Sequence, residues 1–321
     1  MPRLAGGISS RGTSAKDAPD RPGHDDLFYG RLMSSAVLFG QLLIGLINGC
    51  FYATLSLGLA VIFGLLGIIN LAQGALYMLG AFAAWMLLTW LGIGYWGALV
   101  LVPLIVAAFG VVLERLLIRH VYRLDHGYGL LLTFGILLVI QGMFVHWFGT
   151  AGQPYPIPEL LQGGYNLGFM FLPKYRAWVV VASLVLCFTT WFVIERTSIG
   201  RTLRAATENP TLTRAFGINV PRLVTIGFAV GVGLAGLAGV LAAPIYSVSP
   251  LMGAELIIIV FAVVVIGGMG SILGSIVTGL SLGLLEGLAK VFYPQASSMV
   301  IFVLMIVVLL VKPAGLFGRE Q

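Results

Sequence analysis

Between residues 32 and 113 the chain carries no Asp, Glu, Lys or Arg, a run far too long to be the buried face of one soluble element. A spanning helix needs about 20 apolar residues. The run therefore predicts three or four spans, with preferred cuts at 32–49, 51–69, 74–91 and 95–113 and turns at Asn48-Gly49 and at 92–94. A charged stretch holding Arg115, Arg119 and Arg123 follows, then an apolar span at 127–148. Residues 150–176, with Pro154, Pro156, Pro158 and Pro173 among tyrosines, read as a loop outside the membrane. Further spans are expected at 177–194, 223–243, 256–268, 272–289 and 299–311.

The segment between the spans at 177–194 and 223–243 holds Arg196, Arg201, Arg204, Arg214 and Arg222 against two acids, so the excess of positive charge places 195–222 in the cytosol. Lys312 and Arg319 mark a second cytosolic end. With both termini inside, the count of crossings is even: eight to ten, with ten preferred. Only helices and closed barrels satisfy their own backbone groups in hydrocarbon, and no strands of alternating polarity suggest a barrel. The expected fold is an all-α polytopic transmembrane helical bundle over residues 32–318, with a short cytosolic helical hairpin.

Composition agrees: 59% of residues are hydrophobic and 9% charged, against about 25% charged in soluble domains. The net charge of +6 is spread in short clusters between apolar runs, which argues against nucleic-acid binding. Residues 1–31 are rich in Gly, Ser, Pro and charge and are expected to be a disordered cytosolic tail. They show no cleavable signal pattern, so the first apolar run reads as an uncleaved anchor. Cys50 and Cys187 fall inside apolar runs as small hydrophobes, and no metal site or catalytic motif is indicated.

Gly227, Gly231, Ala235 and Gly239 recur at intervals of four, as do Gly267, Ser271, Ser275, Gly279, Gly283 and Gly287. Each set lies on one helix face and permits close helix contact, within the chain or at a subunit interface. Two Gly-rich breaks, at 63–74 and 266–274, resemble interrupted helices, one in each half of the chain, a pattern that points to a transport path. Candidate path residues are Asn70, Gln73 and Tyr77 on one face after the first break, Gly267 and Gly268 at the second, and Glu255. Polar residues of this kind serve equally as glue between helices, and Glu255 and Glu286 lie near run ends, at headgroup depth.

Residues 197–222 read as two short helices. Ser198 can cap the first, Asn209 with Pro210 starts the second, and Gly217 ends it. Leu203, Ala206, Leu212 and Phe216 among basic residues would present a compact knob to a cytosolic partner; the plainer alternative is a surface loop whose arginines only set topology.

These features together resemble the inner-membrane permeases of branched-chain amino acid ABC importers. The carriers are Asn48-Gly49, Tyr52-Ala53, the segments 67–74 and 200–220, 234–239, 267–271 and 312–318, and the resemblance covers 41–318. It implies a bacterial inner-membrane protein forming half of a two-permease pore, with a second permease, two cytosolic ATP-binding subunits and an extracytoplasmic solute-binding protein as partners. It also implies that the hairpin, through Arg201, Arg204, Ala205, Ala206, Glu208, Asn209, Leu212, Phe216 and Gly217, couples to an ATPase. Ala205-Ala206 and Ile218-x-Val220-Pro221 match the wider coupling motif, whereas Pro210 stands where glycine is usual. Gln73 and Ile259 likewise stand where histidine and lysine are common.

None of the four lysines follows a Gly-x-x-x-x-Gly pattern, so the chain has no P-loop. ATP and Mg are therefore expected on the partner subunits, with no cofactor on this chain. The alternative reading is a stand-alone secondary transporter or channel, which would need an intramembrane ion site.

Overall fold

The computed structural model describes residues 24–318 except 123, 125 and 169. Eleven α-helices account for most of the described residues. They are α1 (His24–Leu66), α2 (Ala72–Leu91), α3 (Tyr95–Leu116), α4 (His126–Phe148), α5 (Lys174–Arg196), α6 (Ser198–Glu208), α7 (Pro210–Ala215), α8 (Val220–Ala242), α9 (Met252–Gly267), α10 (Ile272–Phe292) and α11 (Met299–Val311). Seven of them are long and apolar enough to cross a membrane, and α9 and α11 are shorter apolar helices. Between α4 and α5 lies a loop with a small antiparallel hairpin, β1 (Gly164–Asn166) with β2 (Phe171–Pro173). It is tied to the loop after α8 by paired backbone bonds between Gln153 and Val248.

The first two expected spans are one helix. No turn forms at Asn48-Gly49, and α1 runs unbroken through both residues. Gly49 serves a close approach instead: a Cβ there would stand 3.0 Å from the Leu280 carbonyl oxygen and 3.1 Å from that of Gly279. The apolar helices therefore number nine among the described residues, not the preferred ten. Helix α1 begins at His24, inside the stretch expected to be a tail; residues 1–23, Arg123 and Arg319 lie outside the described residues.

One consequence concerns the termini. Gly45 and Gly49 of α1 pack on Gly283, Gly287 and Gly279 of α10, so the two helices run antiparallel, and Gly64 meets Gly270 beside the start of α10. The C-terminal segment packs at that same end, where Leu316 and Phe317 donate backbone N–H groups to the carbonyls of Ile266 and Gly267. The start of the membrane-crossing part of α1 and the C-terminal segment thus stand at opposite ends of the bundle.

The small-residue faces act within the chain. On α8, Gly231 packs on Gly58 of α1, and Gly236 and Gly239 pack on Gly80 and its neighbours in α2. On α10, Gly279, Gly283 and Gly287 face Ala53, Gly49 and Gly45 of α1. Apolar side chains gain nothing by leaving lipid for protein, so this close packing carries the association of the helices. Replacing Gly279 by Leu puts a Cβ 2.6 Å from the Ala53 backbone nitrogen. The expected result is destabilisation by about 1–3 kcal/mol or more, seen as a lower melting temperature and loss of monodisperse protein after detergent extraction.

Candidate functional site

The α6–α7 hairpin is built by local signals that the sequence carries. Asn209 caps α7 by accepting the Leu212 N–H at 2.9 Å, with Pro210 in the first turn. Gly217 closes the hairpin at φ +78°, a left-handed conformation that suits glycine. Asn219 then caps α8 by accepting the Arg222 N–H at 3.1 Å. The start of α6 differs from expectation: Thr197, not Ser198, holds the cap position, and no side chain caps it.

Leu203 and Ala206 are buried, with Leu203 meeting Leu65 of α1 in the space beside Gly227 of α8. Of the four apolar residues expected to form the knob, these two hold the hairpin to the bundle. The other two present outward, Leu212 at 55% exposure and Phe216 at 77%. Arg201, Ala205, Glu208 and Asn209 are also exposed. Arg204 is partly exposed and turned toward α5: its guanidinium donates to the Ile194 carbonyl at 2.9 Å and pairs with Glu195 at 3.0 Å. A cation on the last carbonyls of α5 is favourable for the helix dipole, so Arg204 latches the hairpin to α5.

The candidate path residues do not converge on one site. Asn70, Gln73 and Tyr77 are all buried inside the subunit. The Gln73 amide donates to the Gly231 carbonyl at 3.0 Å, while both amide atoms of Asn70, the Gln73 Oε1 and the Tyr77 hydroxyl have no partner among the described residues. The irregular backbone joining α1 to α2 is satisfied by Thr133 of α4, which accepts the Leu71 N–H and donates to the Ile69 carbonyl, both at 3.1 Å. Gly267 and Gly268 lie where α9 ends, with Gly268 at φ +100° and closed over by Gly315 and Gly318. Glu255 is exposed in the first turn of α9, at the other end of that helix. The two Gly-rich breaks meet at Gly64 and Gly270, beside α6. They mark the hairpin end of the bundle and not its middle.

Two buried carboxylates were not legible as such. Glu286 of α10 accepts from the Tyr52 hydroxyl of α1 at 2.7 Å and pairs with Lys290 at 2.6 Å. Glu114 of α3, fully buried, accepts from Thr225 of α8 at 3.0 Å and from Tyr122 at 2.8 Å. Burial and the adjoining carboxylate push the Tyr122 hydroxyl above its usual range, which keeps it a donor. Each acid ties together segments remote in sequence, and adjacent residues give no hint of the partner.

An all-helical bundle of membrane-spanning length, with an ordered hairpin exposing two apolar side chains at one end, defines a multi-pass membrane component. The chain belongs to the permease components of branched-chain amino acid transport systems: the model of that family matches residues 41–309. The chain is 30% identical to the high-affinity branched-chain amino acid transport system permease protein BraD of Pseudomonas aeruginosa, over 88% of this chain and 96% of that protein. It is 29% identical to LivH of Escherichia coli K12 over the same shares. LivM of Salmonella typhimurium matches at 30% over 84% of this chain and 68% of its own length. This membership makes the chain a transport subunit and not an enzyme, and sets aside the stand-alone transporter.

Two substitutions test the local assignments. Arg204→Ala is expected to raise amide exchange across 198–208 while leaving α1 and α10 protected. Tyr52→Phe leaves Glu286 one donor short in a buried position, for an expected loss of about 1–3 kcal/mol in chemical denaturation of the detergent-solubilised protein.

Proposed function

We propose that the chain forms one half of the translocation path of an ATP-driven amino-acid importer in the bacterial inner membrane. Its partners are a second permease, two cytosolic ATP-binding subunits and an extracytoplasmic solute-binding protein. The observation that carries this reading is the exposure of Leu212 and Phe216 on a hairpin latched to the bundle by Leu203, Ala206 and Arg204. Apolar side chains held out on a rigid, basic cytosolic element are a protein-docking surface, here for an ATPase. LivH and LivM carry the same system name and both match this chain, which supports a pair of homologous permeases.

The hairpin end is cytosolic in this reading, because 195–222 holds the excess of arginines. The single helix α1 then sets the start of the bundle on the extracytoplasmic side and the C-terminal segment in the cytosol. The Gln153–Val248 bridge and the β1–β2 hairpin form part of the outer face, where a solute-binding protein would dock. ATP and Mg belong to the ATP-binding subunits, since the sequence has no P-loop. The solute class is branched-chain amino acids, supported by the names of the relatives.

Leu212→Asp and Phe216→Asp each place a charge on the docking surface. Loss of a buried apolar anchor costs about 2 kcal/mol or more at such an interface, a weakening of roughly 30-fold. Each variant is expected to reach the membrane in normal amount, to lose the co-purifying P-loop ATPase in mild detergent, and to lose leucine uptake by cells expressing the whole system. Normal uptake and normal ATPase recovery in both variants would remove the coupling assignment.

A further inference from the structure

Helices α3 and α8 enclose a groove of about 480 Å³, within the roughly 300–1,000 Å³ range of small-ligand sites. Its origin is in the sequence. Ala107 on α3 and Ala229 and Gly233 on α8 are too small to fill the space between the helices, and Pro103 stands beside Gly233. Leu104 and Val230 form walls, 63% and 48% exposed on the outer surface of the bundle.

The groove has direction and chemistry. On α8 it runs from Thr225 to Leu237, about 18 Å at ~1.5 Å per residue, close to one leaflet of a hydrocarbon core ~30 Å thick. At the α6–α7 end it finishes on Arg115, which is exposed and makes no ion pair among the described residues. Its one hydroxyl, Thr225, already lies within hydrogen-bond distance of Glu114 at 3.0 Å and of the Pro221 carbonyl at 3.1 Å. What remains is an apolar channel one leaflet deep, closed at its headgroup end by a guanidinium without an ion pair among the described residues.

From this we infer that the α3–α8 groove is a binding site for an anionic phospholipid, an acyl chain lying over Gly233 and Ala229 and the phosphate on Arg115. A neutral alkyl chain alone would leave Arg115 unused, and a water-soluble anion would leave the apolar groove unused. Basic pockets between spanning helices on the cytoplasmic side are suited to such headgroups. Only the leaflet, the inner one, rests on the orientation proposed above; the site itself does not.

The test uses the full chain, with whatever subunits accompany it in mild detergent, delipidated and titrated with phosphatidylglycerol or phosphatidylcholine under native mass spectrometry. One phosphatidylglycerol is expected to bind about fivefold more tightly than phosphatidylcholine, the effect of one arginine near a phosphate. Arg115→Gln removes that preference and Arg119→Gln, outside the groove, keeps it. Equal retention of the two lipids, or an Arg115→Gln protein indistinguishable from Arg119→Gln, overturns the site. A second measurement does not depend on lipid affinity. Benzoylphenylalanine replacing Val230, irradiated in native membranes, is expected to yield a phospholipid adduct, whereas a cross-link to another polypeptide shows a protein surface and overturns the proposal. Neither readout involves Leu212 or Phe216, so failure here and failure of the coupling assignment are separately visible.

Discussion

The bundle depends on backbone meeting backbone. Helix α1 carries Gly40, Gly45, Gly49, Gly58 and Gly64, each of which costs about 1 kcal/mol in helix propensity relative to alanine. Several of these positions lie against other glycines: Gly45 on Gly283 and Gly287, Gly49 on Gly279, Gly58 on Gly231. The propensity cost is offset by dispersion contacts that a side chain on either partner would hold apart. With α1 wedged between α10 and α8, α2 is brought onto α8 through Gly80, Gly236 and Gly239, and onto α9 through Gly74 and Gly253. The remaining helices pack around this core, with α3, α4 and α5 turning large apolar side chains outward.

The sequence was legible where a signal is local. The hairpin declared itself through Asn209, Pro210 and Gly217, whose cap and turn chemistry is complete within ten residues. The Gly92 turn likewise follows from its own left-handed conformation at φ +66°. Asn48-Gly49 misled because one dipeptide serves two ends: in water it is a turn, and in a bundle it is a gap through which α10 approaches. Nothing within α1 separates the two readings, since the deciding atoms belong to residues 279 and 280. The missed carboxylates have the same cause, for Tyr52 and Glu286 are 234 positions apart.

The candidate path divides along similar lines. Gln73 and Tyr77 lie four apart on α2 and Asn70 in the joint just before it, yet all three turn into the subunit, against α8 and the α1–α2 junction. Periodicity gives the face and not what it meets. Their unpaired atoms make this the least satisfied polar region in the described interior, where each missing partner is costly. The motif at 312–318 found a plain role: its backbone N–H groups close the end of α9, a requirement stringent in lipid.

The continuity of α1 has mechanical meaning. Its last turn touches Leu203 of the hairpin, and its first membrane-level turns lie beside the far end of α10, with no proline in between. The hairpin and the opposite surface are therefore joined by a single uninterrupted helix, with its glycine contacts on α8 and α10 along its length.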